Sequence, residues 1–241
     1  MTGALQAIVF DFDGVIADSE PLHLRAYQEA LAEEGIELSS REYFAHYLGF
    51  DDVGMVEALA RDRGIAMSGQ HVAALIARKG AAMQALMQSG AVLFPGAKEF
   101  IREAAASVPI AIASGALRHE IDEIVEAAGI ADLFSTIVAS GDTPYSKPSP
   151  APYQLAFARL RDAAGSDLQP HRCVAIEDSK WGLESAAGAG LRCVGVTNSY
   201  PAEALGGAEL IVDGLKALTL SMLDRLVIGD RVAPAGDRAH A

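Results

Sequence analysis

Asp11 and Asp13 stand one residue apart, directly after the apolar run Ala7-Ile8-Val9-Phe10 and directly before Gly14. In an extended or tightly turning backbone, residues at i and i+2 point to the same side, so the two carboxylates can share one site. Left unpartnered beside a buried strand they would be costly. That cost points to a divalent cation or to acid/base chemistry. The plainer alternative is a turn at Asp13-Gly14 with Asp11 as a cap. Further polar groups occupy the same kind of place. Ser114-Gly115 follows Pro109–Ala113, Lys147 lies in the loop after Thr136–Ala139, and Glu177-Asp178 follows Arg172–Ile176. Each also has a plain reading of its own. Ser114 caps the next helix, Lys147 is a solvated surface lysine, and Glu177-Asp178 is an acidic pair at a helix start.

The elements that must position these groups follow from hydrophobic period. Short runs rich in β-formers predict strands at 7–10, 109–113, 136–139, 172–176, 192–196 and 210–212. Between them, helical spacing predicts helices over 98–107, 118–128, 153–161 and 182–189. Alternation of strand and helix argues an α/β fold, a doubly wound parallel sheet with helices on both faces. In such a sheet ligands bind at the carboxyl ends of the strands, where every candidate above falls. Between Ile16 and Val92 the pattern is helical throughout, with helices over 20–34, from Ser39-Ser40 to Gly49, from Asp51-Asp52 to Gly64, and over 68–89. That stretch is too long for a connection and predicts an inserted domain. The expected organisation is a core of 1–17 and 92–228, a helical domain of 18–91, and a polar tail of 229–241.

The chain has 241 residues, 51% of them hydrophobic, enough for one large domain or for a core domain plus a smaller one. Lys and Arg number 19 against 32 Asp and Glu, a formal charge of −13, which disfavours nucleic acid and anionic membranes as partners. No apolar run reaches the roughly 18 residues of a membrane span, and the first residues lack a basic segment followed by an apolar one. A cytoplasmic protein, monomeric or a small homo-oligomer, is expected. Cys173 and Cys193 sit in apolar strand-like runs and read as reduced core residues.

Asp11-Phe12-Asp13-Gly14-Val15-Ile16-Ala17-Asp18-Ser19-Glu20 resembles the first motif of the haloacid dehalogenase-like hydrolases, in the subgroup of β-phosphoglucomutase and many small-molecule phosphatases. Ser114, Lys147 and Glu177-Asp178-Ser179-Lys180-Trp181-Gly182 match the later motifs in order, over about Leu5 to Asp213. The resemblance implies a Rossmann-like core with a helical cap domain inserted after the first motif. It implies that Asp11 is a nucleophile forming an aspartyl-phosphate and Asp13 the general acid/base. Ser114 and Gly115 would bind the phosphoryl group, and Lys147 would balance its charge. Mg²⁺ would be held by Asp11, the Asp13 carbonyl and Asp178, with Glu177 ligating directly or through water. The expected activity is hydrolysis of a small phosphorylated metabolite, such as a sugar phosphate.

The rival within the family is a β-phosphoglucomutase-type mutase. His23 matches a hinge-region His of that enzyme, against a plain reading as an exposed helix His. Where the mutase has basic residues beside the Gly that corresponds to Gly49, this chain has Leu48 and Asp52. Lys79 reads as a surface lysine or, alternatively, as a group facing the substrate. A haloalkanoate dehalogenase would need neither Asp13 nor Mg²⁺, and a non-catalytic protein on the same fold would not need the full set of reactive groups.

Overall fold

The structure, a computed structural model, describes residues 4–47, 50–87, 93–165 and 167–229. The chain divides into two compact units, Met1–Asp18 with Ala91–Ala241, and Ser19–Gly90. Leu48, Gly49 and the tail beyond Gly229 lie outside the described residues.

The chain opens with strand β1 (Ala7–Phe10), buried along its whole length. Helix α1 (Glu20–Ala32) starts the second unit. A short helix, α2 (Ser40–Glu42), follows, capped by Ser39, whose hydroxyl accepts from the Glu42 N–H at 3.2 Å. It runs into a wider π-type turn over Tyr43–Tyr47. Asp51 caps α3 (Asp52–Asp62) by accepting from the Gly54 N–H at 2.7 Å. The unit closes with α4 (Gly69–Met87). Leu24, Tyr27 and Leu31 of α1, Met55 and Leu59 of α3, and Val72 and Leu75 of α4 form its apolar core at the spacing of one helical face.

The first unit resumes with α5 (Ala97–Ala105), β2 (Ile110–Ala113), α6 (Arg118–Ala127), β3 (Thr136–Val138), α7 (Ala151–Ala164), β4 (Cys173–Glu177), α8 (Lys180–Gly188), β5 (Arg192–Val196), β6 (Leu210–Val212) and α9 (Leu220–Ile228). The strands form one parallel sheet in the order β3-β2-β1-β4-β5-β6. Strand order reverses at β1, so the crevice at its carboxyl end is the topological switch point of a doubly wound sheet. Around that crevice the chain closes on itself where it leaves and re-enters the unit. Ala17 bridges Leu93, and the Phe94 N–H donates to the Ile16 carbonyl at 2.9 Å. No helix among the described residues is long and apolar enough to cross a membrane.

Several boundaries differ from the sequence reading. Helix α7 begins at Ala151, because Pro150 and Pro152 fall before and within the first turn, where a missing N–H costs nothing. Helix α8 begins at Lys180, because the Ser179 side chain accepts from the Gly182 N–H at 3.1 Å and caps it. Glu177 is the last residue of β4 and does not lie beyond it. Helix α9 has no counterpart in the sequence reading. Thr219 caps it, and it buries Met222, Leu223, Leu226 and Val227. Both cysteines are buried and free, and burial pushes each thiol up to about 12.

Leu223 is fully buried on α9. Leu223→Ala is expected to cost about 2–5 kcal/mol through lost burial and a residual cavity, read as a lower urea midpoint. A loss within 0.5 kcal/mol would show that α9 is not part of the core.

Candidate active site

Register brings the predicted groups together. Strand β1 lies between β2 and β4, with Phe10 beside Ile112 on one side and Ile176 on the other. One step past Phe10 stands Asp11. Glu177 and Asp178 follow Ile176 at the same sheet edge, and Ser114 leaves β2 on the opposite flank. The Asp11 N–H donates to the Ile176 carbonyl at 2.9 Å, which extends the ladder to Asp11. The turn that follows needs Gly14. Its φ is +76°, a left-handed conformation that favours glycine. A Cβ there would also lie 1.8 Å from the Asp178 carboxylate. The first-motif turn and Asp178 are therefore in direct backbone-to-side-chain contact.

Asp11, Glu177 and Asp178 are all buried, and each places a carboxylate oxygen within 4.8 Å of the other two. Lys147 reaches in from the loop after β3. Its ammonium lies 2.8 Å from Asp11 Oδ1 and 2.6 Å from Glu177 Oε1. Its side chain is only 13% exposed, so it is not a solvated surface lysine. Burial alone would favour its neutral form, but Asp11 and Glu177 hold its pKa above the usual lysine value. One lysine does not satisfy the carboxylates. Burial, and after it the charge of Glu177, pushes Asp11 well above the usual carboxylate range. Burial pushes Asp178 up to about 6, with Glu177 and Asp13 adding to the rise and a hydrogen bond from Ser199 opposing it. A buried, oxygen-only donor set with surplus negative charge fits a hard divalent cation of the Mg²⁺ type.

Glu177 is fully buried and engaged on both oxygens. Oε1 accepts from Lys147 and, at 2.7 Å, from the Tyr153 hydroxyl. Oε2 accepts from the Asp178 N–H and the Ser179 hydroxyl, both at 3.2 Å. A Cβ on Gly182 would come within 2.0 Å of that carboxylate, so α8 can cross here only with glycine. Tyr153 and Gly182 are functional neighbours that sequence reasoning left as helix residues. Neither carries a signal in the sequence that points to Glu177. Ser114 is buried, and its hydroxyl accepts from the Ala116 N–H at 3.0 Å. It closes a turn ahead of α6 and does not cap that helix, which starts after Leu117. A Cβ on Gly115 would meet nothing within 4 Å.

His23 and Lys79 meet within the helical unit. Lys79 is 3% exposed, which overturns its reading as a surface lysine. It lies 2.8 Å from Asp52 Oδ1 and 2.9 Å from His23 Nδ1, and 5.0 Å from the centre of the Tyr27 ring. The Tyr27 hydroxyl donates to the same Asp52 oxygen at 2.6 Å. Burial works against the Asp52 charge, but hydrogen bonds from Lys79 and Tyr27 hold it below the usual range. An ammonium can only donate, so His23 Nδ1 accepts and the ring is neutral. His23 is half-buried, which sets aside the exposed-helix reading, and burial and then Lys79 lower its pKa from 6.5 to about 4.

The haloacid dehalogenase-like hydrolase family profile matches residues 5–190. Protein CbbY of Rhodobacter capsulatus is 34% identical over 205 residues, covering 81% of this chain and 87% of that protein. A phosphoglycolate phosphatase of Yersinia pseudotuberculosis is 28% identical over 203 residues, covering 82% and 83%. The crystal structure of a CbbY mutant from Rhodobacter sphaeroides in complex with xylulose 1,5-bisphosphate superposes with a TM-score of 0.73 at 30% identity. The match covers 89% of this chain and 96% of that one.

The lowered pKa of His23 carries a sign for stability. The folded form resists a proton that the unfolded chain accepts below 6.5, so stability is full above that pH and is lost as pH falls toward 4. The loss attributable to His23 is at most about 3 kcal/mol. His23→Asn should flatten the dependence of the urea midpoint on pH between 6.5 and 4. An unchanged dependence would mean that His23 is not held neutral.

Proposed function

The chain belongs to the haloacid dehalogenase-like hydrolases, and on that footing we propose that it is a Mg²⁺-dependent phosphatase of a small phosphorylated metabolite, working through an aspartyl-phosphate. The observation that carries this reading is the buried cluster of Asp11, Glu177 and Asp178 with Lys147 between Asp11 and Glu177. A sugar phosphate is the favoured substrate class, in keeping with the xylulose bisphosphate held by the CbbY mutant.

Asp11, the backbone carbonyl of Asp13 and Asp178 would hold the cation, with Glu177 ligating directly or through water. When bound, Mg²⁺ supplies positive charge to the phosphoryl oxygens as negative charge develops on them. Asp11 attacks phosphorus with a carboxylate oxygen. The bond from phosphorus to the ester oxygen breaks, and Asp13 delivers its proton to the departing alcohol. Asp13, now ionised, takes a proton from water as that water attacks phosphorus and releases Asp11. Lys147 favours the ionised form of Asp11 against burial, orients it, and offsets the charge that accumulates on the phosphoryl group. Ser114, with the open backbone at Gly115, supplies hydrogen bonds to the same group. Pairing of Lys79 with Asp52 supports hydrolysis over a mutase reaction, because the lysine's charge is already matched within the helical unit.

Asp11→Asn should abolish turnover while leaving the far-ultraviolet spectrum and melting cooperativity intact. Substantial Mg²⁺-dependent turnover in the purified variant would remove Asp11 as nucleophile. Asp13→Asn should lower kcat/KM for an alkyl phosphate by about 10²–10⁴ and that for p-nitrophenyl phosphate by much less, since nitrophenolate leaves without a proton. Equal losses would show that Asp13 does not transfer protons. A panel of phosphorylated metabolites assayed with Mg²⁺ and with EDTA tests the activity itself. Release of inorganic phosphate from sugar phosphates in Mg²⁺ alone is the expected result, and interconversion of glucose phosphates in its place would make the chain a mutase.

A further inference from the structure

The segment that follows β5, Thr197 to Tyr200, holds none of the family motif residues, yet it touches two of the loops that do. Asn198 Nδ2 donates to the Gly14 carbonyl at 2.8 Å. Ser199 Oγ and the Asp178 carboxylate lie side by side against the Gly14 backbone, and the serine hydroxyl pulls the Asp178 pKa down. An ionised carboxylate can only accept, so the serine hydroxyl donates. The Gly14 backbone is the meeting point. A Cβ at that position would lie 1.8 Å from Asp178 Oδ2 and 2.6 Å from Ser199 Oγ. The segment is itself anchored at both ends. The Thr197 N–H donates to the Val212 carbonyl at 3.1 Å, and the Tyr200 ring meets Trp181 edge-on at 6.3 Å, on the first turn of α8.

Asp178 is crowded by like charges from Glu177, Asp11 and Asp13. Repulsion would turn such a side chain away from the cluster unless a donor held it. A second lysine would hold it but would compete with a cation for the same carboxylate. A neutral hydroxyl fixes the orientation and leaves the charge available. Asn198 acts on a different part of the site, because the Gly14 carbonyl belongs to the turn that carries Asp13.

We propose that Ser199 and Asn198 are positioning residues for the phosphatase reaction, Ser199 aiming Asp178 at the cation and Asn198 fixing the turn that presents Asp13 to the leaving group. The proposal rests on the roles given above to Asp178 and Asp13. It predicts that the two substitutions damage different steps. Loss of a side chain that orients a metal ligand typically costs 10–100-fold in metal affinity.

The test is calorimetric titration of Mg²⁺ into the metal-stripped full-length chain, without substrate. Ser199→Ala and the near-isosteric Ser199→Cys should each weaken Mg²⁺ binding by about 10–100-fold. Asn198→Ala should weaken Mg²⁺ binding less than either Ser199 variant does. Its kcat/KM should fall at least about tenfold further for an alkyl phosphate than for p-nitrophenyl phosphate, the selectivity expected when proton delivery is impaired. Wild-type affinity in the folded Ser199→Cys variant would overturn the role of Ser199, and equal losses on the two substrates would overturn that of Asn198. Asp178→Ala separates the two levels of failure. If it abolishes Mg²⁺ binding while both Ser199 variants bind normally, the cation site stands and this proposal falls. If wild type binds no Mg²⁺, the underlying reading falls with it.

Discussion

Lys147 sits between Asp11 and Glu177 as one cation among buried acids, and most of the first unit's local structure follows from that imbalance. A buried carboxylate without a partner is expensive. The protein meets the expense at Glu177 by saturating it with Lys147, Tyr153, Ser179 and a backbone N–H, under a glycine that leaves the carboxylate room. Asp11 and Asp178 are treated differently. Their pKa values stay raised, by burial first and then by the charge of Glu177. The result is a cluster with one acid neutralised within the protein and two left wanting positive charge. That is the electrostatic form of a cation site with its lysine already in place.

Sheet topology makes this concentration of charge possible. Because β1 is flanked by β2 and β4, chain segments far apart in sequence end at one edge, beside the reversal in strand order. The apolar strands hold that edge rigidly. Phe10, Ile112 and Ile176 are fully buried, and their side chains cannot shift to relieve the repulsion ahead of them. Charge is thus held in a fixed arrangement by packing, which is what electrostatic catalysis of phosphoryl transfer requires. In the helical unit the same problem has the opposite outcome. Asp52 and Lys79 match one another, with His23 neutral beside them, so that cluster is complete without a ligand.

The parts of the site legible in the sequence were those announced by a change of character along the chain. Asp11, Asp13, Ser114 and Asp178 each break an apolar run, and a polar residue at the end of a buried strand has few structural reasons to be there. Tyr153 gives no such signal, since a tyrosine at helical spacing reads as core, and its hydroxyl matters only because it reaches Glu177 at the end of β4. Gly182 reads as a weak helix position until Glu177 is seen against it. Ser199 lies in a loop whose partner is distant in sequence. Lys79 was misread because burial of a lysine depends on a carboxylate from another helix, and Asp52 itself reads as part of a helix start. Helix α9 has a legible face, Met222, Leu223, Leu226 and Val227 at helical spacing, which the sequence reading does not use.

The central claim is that the raised carboxylates of this site await a cation, and thermal unfolding against Mg²⁺ tests it most directly. The wild-type chain stripped with EDTA at pH 7 should melt at a higher temperature as Mg²⁺ is added, following mass action on the folded state. Asp178→Asn, which removes one repelled charge and one proposed ligand together, should raise the melting temperature in EDTA and abolish the response to Mg²⁺. A wild-type midpoint indifferent to Mg²⁺, with Asp178→Asn no more stable than wild type in EDTA, would contradict the account.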